Sequence, residues 1–334
     1  MRPPVVTRRR LVQGGLAIAG TCVLAGCGLL PSDVPQPARV RRIGTLVAGA
    51  TGTPIADPFR RTLRELGYDS SVIEARFAEP RDERFPMLAA ELVSIPVDVI
   101  VTTTTRTAQA ARGVTSTAPI VFIAVGDPVG QGFVASLAHP GGNMTGLTSI
   151  SPRLNGKRLE LLREAFPDIS RVAVVFDVHD ADSASELKSL RASAPALGLH
   201  LQPIATVIDE DYDGVAETMK SGRADALLAL GGFAVSNYVA SRLLAVAHSA
   251  RVPAMFSAPK LAEMGGLMAY GPSFDDQARR AAIYVDRILR GAKPADLPVE
   301  QPSRFDFAIN LNAARTLGRT LPQSILAQAT QVIQ

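Results

Sequence analysis

Short polar and glycine-containing segments carry the chemistry that this sequence offers for holding a small molecule. Threonine hydroxyls and backbone N–H groups can bind a carboxylate, above all where a helix begins. An aspartate can pair with an ammonium group, and an aromatic ring can stack on an apolar or aromatic ligand. The residues that we predict to bind ligand are Thr51, Gly52, Thr53, Thr103, Thr104, Gly126, Asp127, Asp177, Gly232, Phe233 and Ser257.

Each segment also has a purely structural interpretation, and the sequence leaves the choice open. Residues 51–53 suit a plain strand-to-helix turn, and the threonine run suits β-propensity followed by helix capping. Asp127 precedes a proline, a pair that commonly starts turns. Phe233 follows two glycines, which favours it as a ligand contact over Phe256 and Tyr270, because aromatic residues inside strands usually belong to the core.

Metal and catalytic chemistry find little support in the sequence. Asp177, His179 and Asp180 could together bind a cation, but a solvated loop is favoured because metal ligation needs more convergent donors. The motifs of serine hydrolases, phosphate loops and zinc proteases are absent, and the four histidines are scattered. We therefore predict no catalytic residue, no metal and no cofactor.

The N-terminal segment predicts export and a lipid anchor. Residues 24–27 read Leu-Ala-Gly-Cys, the form of a lipoprotein cleavage site, with Cys27 as the lipidated residue. An arginine triplet at residues 8–10 resembles a twin-arginine signal, and the apolar run after it is shorter than the roughly 20 residues that span a bilayer. The alternative is a buried N-terminal helix with two incidental cysteines. We expect attachment to the membrane through lipid only, on its periplasmic or extracellular side.

Charge and cysteine content then exclude further classes. Four arginines and no acidic residue precede Cys27, so loss of residues 1–26 takes the formal net charge from +4 to zero. A neutral mature chain gives no electrostatic argument for a nucleic-acid partner. Cys22 would leave with the signal and Cys27 would carry lipid, so the folded part has no thiol for catalysis, disulfides or metal binding.

Alternating strand and helix patterns predict an α/β fold with parallel sheets. β-like runs at residues 42–47, 72–77, 97–102 and 119–125 alternate with helical patterns, and a second series follows from residue 171 to residue 270. Apolar residues from Phe274 to Leu289 recur at helical spacing and predict a long amphipathic helix. The pattern therefore indicates two halves of similar layout.

The predicted division has a signal peptide at 1–26, a flexible proline-rich tether at 27–40, an N-terminal lobe and a C-terminal lobe. The N-terminal lobe comprises residues 41–150 plus 271–300, and the C-terminal lobe comprises residues 151–270 plus 301–334. Ligands bind outside the carboxyl ends of strands in doubly wound sheets. The loops at 48–53, 102–105, 124–128, 177–180, 231–233 and 257–259 should therefore line a cleft between the lobes.

Three sequence markers carry a family resemblance. The first is Asp-Pro-Val at 127–129 followed by Pro-Gly-Gly-Asn-Met-Thr-Gly at 140–146. The second is Gly-Gly-Leu-Met-Ala-Tyr-Gly-Pro at 265–272, and the third spans residues 295–314. From about residue 41 onward, the chain resembles the substrate-binding lipoproteins of ABC importers related to the tryptophan-binding TrpX group.

The resemblance implies a type I periplasmic-binding-protein fold, two doubly wound parallel-sheet lobes joined by a hinge. It implies capture of an amino-acid-like solute, aromatic or branched, by lobe closure and its delivery to ABC permease and ATPase subunits. A sensory subunit for a receptor or kinase and, less favoured, an exported enzyme are the alternatives. The chain departs from the family's usual Asn-Pro at residues 177–178 and from its Asp-Pro-Leu at residues 231–233, both in loops facing the cleft.

Overall fold

A computed structural model describes residues 41–49, 56–69, 72–78, 82–207, 212–231 and 237–334. The predicted signal peptide, the tether and the predicted lipidation site Cys27 lie outside these residues. The same holds for five of the predicted ligand contacts, which are Thr51, Gly52, Thr53, Gly232 and Phe233. Residues Arg41–Gln334 form one unit.

Strands and helices alternate along most of this unit. The strands are β1 (Ile43–Val47), β2 (Ile73–Phe77), β3 (Val99–Thr102), β4 (Ile120–Val125), β5 (Met144–Thr148), β6 (Arg171–Asp177), β7 (His200–Thr206), β8 (Ala226–Ala229), β9 (Ala254–Phe256), β10 (Met268–Pro272), β11 (Phe305–Asn310) and β12 (Gln331–Ile333). The helices are α1 (Ala56–Glu65), α2 (Phe85–Ser94), α3 (Thr105–Val114), α4 (Ser151–Ala165), α5 (Ser183–Ser193), α6 (Tyr212–Ser221), α7 (Asn237–Ala250), α8 (Lys260–Glu263), α9 (Phe274–Leu289), α10 (Leu311–Thr316) and α11 (Gln323–Gln328).

The first sheet has the strand order β2-β1-β3-β4-β5, and all its pairs are parallel. β3 and β4 are almost wholly apolar, as expected of central strands that are covered on both faces. One face packs against α1 and α9, and the other packs against α2 and α3. Parallel pairing places the carboxyl ends of these strands at one edge of the sheet.

The second sheet has the order β12-β11-β10-β9-β8-β6-β7. Its pairs are parallel except that β11 runs antiparallel to β10, with Tyr270 opposite Phe307. Apolar clusters cover both faces and include residues of α4 and α5 on one face and of α6 and α7 on the other. Among the described residues, we find no helix that is both long enough and apolar enough to cross a bilayer.

The chain passes between the two sheets three times. It leaves the first sheet after β5, returns to it after β10, and leaves again between Glu300, which bridges to Leu147, and β11. We call residues 41–148 with 274–300 the N-lobe and residues 151–272 with 305–334 the C-lobe. At the first crossing, Ile150 has φ 46°, a strained value for a β-branched residue.

The predicted amphipathic helix at 274–289 is confirmed as α9, and its apolar residues are buried on the first sheet rather than on the sheet that precedes it. β5, β11 and β12 were not predicted from the sequence. β5 reads Met-Thr-Gly-Leu-Thr, which gives no alternating apolar pattern. β11 begins Phe-Asp-Phe, an alternation that strand prediction could have used, and the three residues of β12 are too few to form a pattern.

Gly146 explains how β5 joins the edge of the first sheet. Its φ is +149°, and a Cβ atom there would overlap the backbone of Phe122 on β4. The β4–β5 register shifts between Phe122 and Val125, next to this close approach. Only glycine allows the two backbones to come this near.

We predict that Gly146→Ala lowers the free energy of unfolding by about 3 kcal/mol, because a Cβ atom displaces β5 and strains the backbone. Urea unfolding followed by far-UV circular dichroism measures the change. Gly142→Ala is the matched control, since no atom lies within 4 Å of a Cβ there and its φ is not positive. Equal stability of the two variants would contradict this account of β5.

Candidate functional site

The carboxyl ends of the strands of the two lobes meet at one contact region, which we call the interlobe seam. Its N-lobe side consists of Thr105 and Arg106 at the start of α3 and of Gly126 and Gln131 in the loop after β4. Its C-lobe side is the segment 177–182 between β6 and α5. The seam follows from the topology, because each of these segments comes directly after a strand or opens the next helix.

The threonine run after β3 begins the N-lobe side. Thr104 is the N-cap of α3 and forms a capping box with Thr107, in which each side chain accepts a hydrogen bond from the other residue's backbone N–H. The Thr103 hydroxyl accepts a hydrogen bond of 3.3 Å from the backbone N–H of Ala48 at the end of β1. The two predicted ligand contacts Thr103 and Thr104 are thus fixed by hydrogen bonds within the N-lobe.

Thr105 reaches across to the C-lobe. Its hydroxyl donates a buried hydrogen bond of 2.6 Å to Oδ2 of Asp182. The backbone N–H of Gly126 donates to the same oxygen at 3.1 Å. A Cβ atom at position 126 would lie 2.5 Å from that oxygen, so the close approach of the two lobes depends on glycine.

Asp127 lies beside Gly126 but turns toward its own loop. Its Oδ1 accepts a hydrogen bond of 2.9 Å from the backbone N–H of Gly130, the arrangement of a turn-forming aspartate. Beyond this turn, the Gln131 side chain donates to the backbone carbonyl of Ala181 in the C-lobe at 3.1 Å. The loop after β4 therefore contacts the C-lobe through Gly126 and Gln131, while Asp127 shapes the turn between them.

Asp177 ends β6 and is 1% exposed. One carboxylate oxygen accepts the backbone N–H of His179 at 2.8 Å, and the other forms an ion pair with Arg106 of the N-lobe. The backbone carbonyl of Asp177 accepts the Ser183 hydroxyl at 2.7 Å, which ties the loop to the start of α5. The structure thus gives Asp177, predicted as a ligand contact, a cross-lobe partner.

Carboxylates crowd the C-lobe side of the seam. Burial, together with the charges of Asp182 and Glu186, raises the pKa of Asp180 to about 7. Burial also raises the pKa of Asp182, while hydrogen bonds from Thr105 and Gly126 oppose that shift. Oδ1 of Asp182 is buried and accepts no hydrogen bond from the described part of the chain.

A buried cation lies behind these carboxylates. Arg158 on α4 is 1% exposed, and it donates to the Tyr270 carbonyl at 2.8 Å, the Ser151 hydroxyl at 3.1 Å and Oδ1 of Asn155 at 2.6 Å. Burial lowers its pKa to about 10, and the charge of Glu186 opposes the shift. These hydrogen bonds join the start of α4, which follows the first crossing between the lobes, to the end of β10, which precedes the second crossing.

Glu186 extends the network toward the cleft. It is fully buried on α5, and its Oε2 accepts a hydrogen bond of 3.0 Å from the backbone N–H of Gly231, the first residue of the predicted loop at 231–233. Burial raises its pKa, and the charge of Arg158 opposes that shift. The sequence analysis missed both charged residues, because each lies inside a helix whose pattern otherwise reads as ordinary.

The remaining predicted contacts differ in their surroundings. Ser257 follows β9 and is 9% exposed at the carboxyl end of the second sheet. Phe256 is buried in the core, and Tyr270 packs against Phe305 and Phe307 with ring centroids 6.1 and 6.2 Å apart. These surroundings are those of core aromatics.

A small cavity of about 20 Å³ lies under α1 in the N-lobe. Its lining is mostly apolar and comes from β1 to β4 and α1, with Thr103 among the lining residues. No group of three or more histidine, cysteine, aspartate or glutamate residues that could hold a metal occurs among the described residues.

Of the residues that connect the lobes, Gly126 and Asp177 were predicted as ligand contacts and Thr105 lay in a predicted cleft loop, whereas Arg106, Gln131 and Asp182 were missed. Thr105, Arg106, Gln131 and Asp182 all lie within three residues of a predicted contact or loop, but their partners are more than 40 residues away. The available signals were an arginine after the threonine run and three aspartates within six residues. Neither signal identifies which residue of the other lobe each side chain contacts.

The chain matches the family model described as "ABC transporter substrate binding protein" over residues 43–333. A tyrosine-binding protein from Clostridioides difficile is 25% identical over 265 residues, which are 78% of this chain and 75% of that protein. A solved structure from Streptococcus pneumonia, an ABC domain in complex with L-Trp, is 26% identical with a TM-score of 0.77, covering 87% of this chain and all of that one.

A conserved domain protein from Vibrio cholerae is 29% identical with a TM-score of 0.79, covering 88% of this chain and 100% of that chain. These likenesses confirm the family resemblance and the expected fold of two parallel-sheet lobes.

Proposed function

We propose that this chain, which belongs to the family of ABC transporter substrate-binding proteins, binds an aromatic amino acid between its lobes and delivers it to a permease. The observation that carries the proposal is the interlobe seam. There Asp182 of the C-lobe accepts hydrogen bonds from Thr105 and Gly126 of the N-lobe. Segments that meet at the carboxyl ends of two parallel sheets enclose the position where ligands of such folds bind.

The choice of an aromatic amino acid rests on two relatives whose names state tyrosine binding and an L-Trp complex. The chemistry of the cleft agrees with a zwitterion. The start of α3 presents hydroxyls and a helix N-terminus suited to a carboxylate, and Asp127 after β4 offers its carboxylate to an ammonium group. We propose that the ligand-binding residues predicted from the sequence, from Thr51 to Ser257, line this site.

The mechanism is closure driven by ligand contacts to both lobes. Ligand favours the closed state only to the extent that it binds that state more tightly than the open one. The lobes turn about the three crossings, and the permease and ATPase subunits receive the closed, loaded form. We propose binding without turnover, so the chain is no enzyme in this account.

We predict that Gly126→Ala weakens binding of L-tyrosine about tenfold, because a Cβ atom at 126 overlaps Asp182 only when the lobes meet. Isothermal titration calorimetry measures the affinity. The ligand-free thermal midpoint should stay within about 2 °C of the wild type, since the φ of Gly126 is not positive. Gly113→Ala on the exposed face of α3 is the matched control. Unchanged affinity in Gly126→Ala would contradict the closure mechanism.

The ligand class has its own test. L-tyrosine or L-tryptophan at about 100 times its dissociation constant should raise the thermal midpoint by about 5 °C, because it binds only the folded chain. D-tyrosine and maltose serve as control solutes. A shift with another amino acid but with neither aromatic one would refute the ligand class and leave the binding function intact.

We propose that the protein is held at the periplasmic or extracellular surface of a membrane by lipid on Cys27. A lipid anchor without a spanning helix would keep the lobes beside a permease. Cys27→Ser should therefore move the protein from the membrane fraction to the soluble fraction, measured by immunoblot after ultracentrifugation. Cys22→Ser is the matched control and should stay with the membrane. Retention of Cys27→Ser at the membrane would rule out the anchor.

A further inference from the structure

The interlobe seam buries acidic groups that a separated C-lobe leaves to water. Thr105 and Gly126 cover Oδ2 of Asp182, and Gln131 covers the backbone at Ala181. Asp182 is left 6% exposed, and its Oδ1 accepts no hydrogen bond from the described residues. Closure therefore removes solvent from a carboxylate and supplies hydrogen bonds to only one of its two oxygens.

The charges around this carboxylate are mostly negative. Asp180 faces Asp182 within the same segment, and its Oδ1 accepts the backbone N–H of Asp182 at 3.1 Å. Glu186 faces both from α5, and Asp127 of the N-lobe approaches Asp182 when the lobes meet. Like charges brought together in a solvent-poor region favour binding of a proton.

The cations on either side only partly offset this charge. Arg106 of the N-lobe faces Asp180 but is paired with Asp177, and Arg158 faces Glu186 from within the C-lobe. His179 lies in the same segment and is exposed. Glu186 has its partners inside the C-lobe, so its environment changes less on closure than that of Asp180 and Asp182.

We propose that closing the lobes takes up a proton shared by Asp180 and Asp182, so that the closed state is favoured as the pH falls. This inference rests on the proposed closure of the lobes, and it concerns how that closure responds to pH. The proton makes one carboxyl neutral, relieves the repulsion between the two residues, and removes the cost of burying a second charge in a solvent-poor region.

The direction of the pH dependence follows from proton linkage. In the closed state, burial raises the pKa of Asp180 to about 7 and raises that of Asp182, whereas a solvated aspartate titrates near its ordinary value of about 4. A group whose pKa is raised in one state favours that state below its pKa. Closure is therefore favoured most at low pH, and that preference is lost as the pH rises through about 7.

A ligand-free measurement tests the proposal independently of the ligand class. Spin labels are placed on Met87→Cys of the N-lobe and Lys188→Cys of the C-lobe, both exposed, in the full chain with Cys22 and Cys27 replaced by serine. Double electron–electron resonance should show a larger closed fraction at pH 5.5 than at pH 8.5. Identical distance distributions at the two pH values would overturn the proposal, whether or not any amino acid binds.

Calorimetry with L-tyrosine, or with L-tryptophan if only that ligand binds, measures how many protons are taken up when the ligand binds. Affinity should fall about tenfold from pH 5.5 to pH 7.5, and heats in phosphate and Tris buffers should reveal net proton uptake. Asp182→Asn and Asp180→Asn should each reduce both effects, while Glu160→Gln on the exposed face of α4 should reproduce the wild type. Proton uptake that persists in both aspartate variants would assign the proton elsewhere and refute the proposal.

Discussion

The buried carboxylate of Asp182 is the contact on which the arrangement of the two lobes depends. It belongs to the C-lobe, yet both hydrogen bonds to its Oδ2 come from the N-lobe. Its second oxygen is buried without a partner among the described residues, and an unsatisfied buried acceptor costs about 1–3 kcal/mol. The interlobe seam therefore holds the lobes together, but its hydrogen bonds do not offset the full cost of burying the Asp182 carboxylate. A receptor needs this balance, because a closed state that is fully stable by itself leaves ligand little to change.

A second network of buried charged groups lies within the C-lobe. Arg158 ties the start of α4 to the end of β10, the two C-lobe segments nearest the first and second crossings. Burying a cation is costly, so the acceptors that compensate the charge of Arg158 must keep their positions. The hydrogen bond from Gly231 to Glu186 attaches the start of the loop at 231–233 to the same network. We therefore propose that motion between the lobes occurs at the crossings, where Ile150 has a strained backbone.

Local patterns in the sequence were enough to predict most elements of the fold. The apolar spacing of α9 predicted both its length and its buried face, and the apolar runs of β3 and β4 marked central strands. The presence of β5 and the direction of β11 were not predictable. β5 exists because Gly146 lets its backbone approach Phe122, and β11 runs antiparallel because the chain returns from the N-lobe at that point. Neither reason is visible within a short window of residues.

The same limit applies to the site. Polar residues directly after the strands indicated which loops face the cleft. The role of each polar side chain, however, depends on the group that it contacts. Asp177 reads from sequence as a carboxylate awaiting a ligand, and its pairing with Arg106, 71 residues away, makes it part of the contact between the lobes. With Asp177 engaged in this way, the carboxylates left to respond to closure by binding a proton are those of Asp180 and Asp182. Ligand and proton then act at different places but in the same direction, since the ligand contacts both lobes while the proton lowers the electrostatic cost of bringing this pair under the N-lobe.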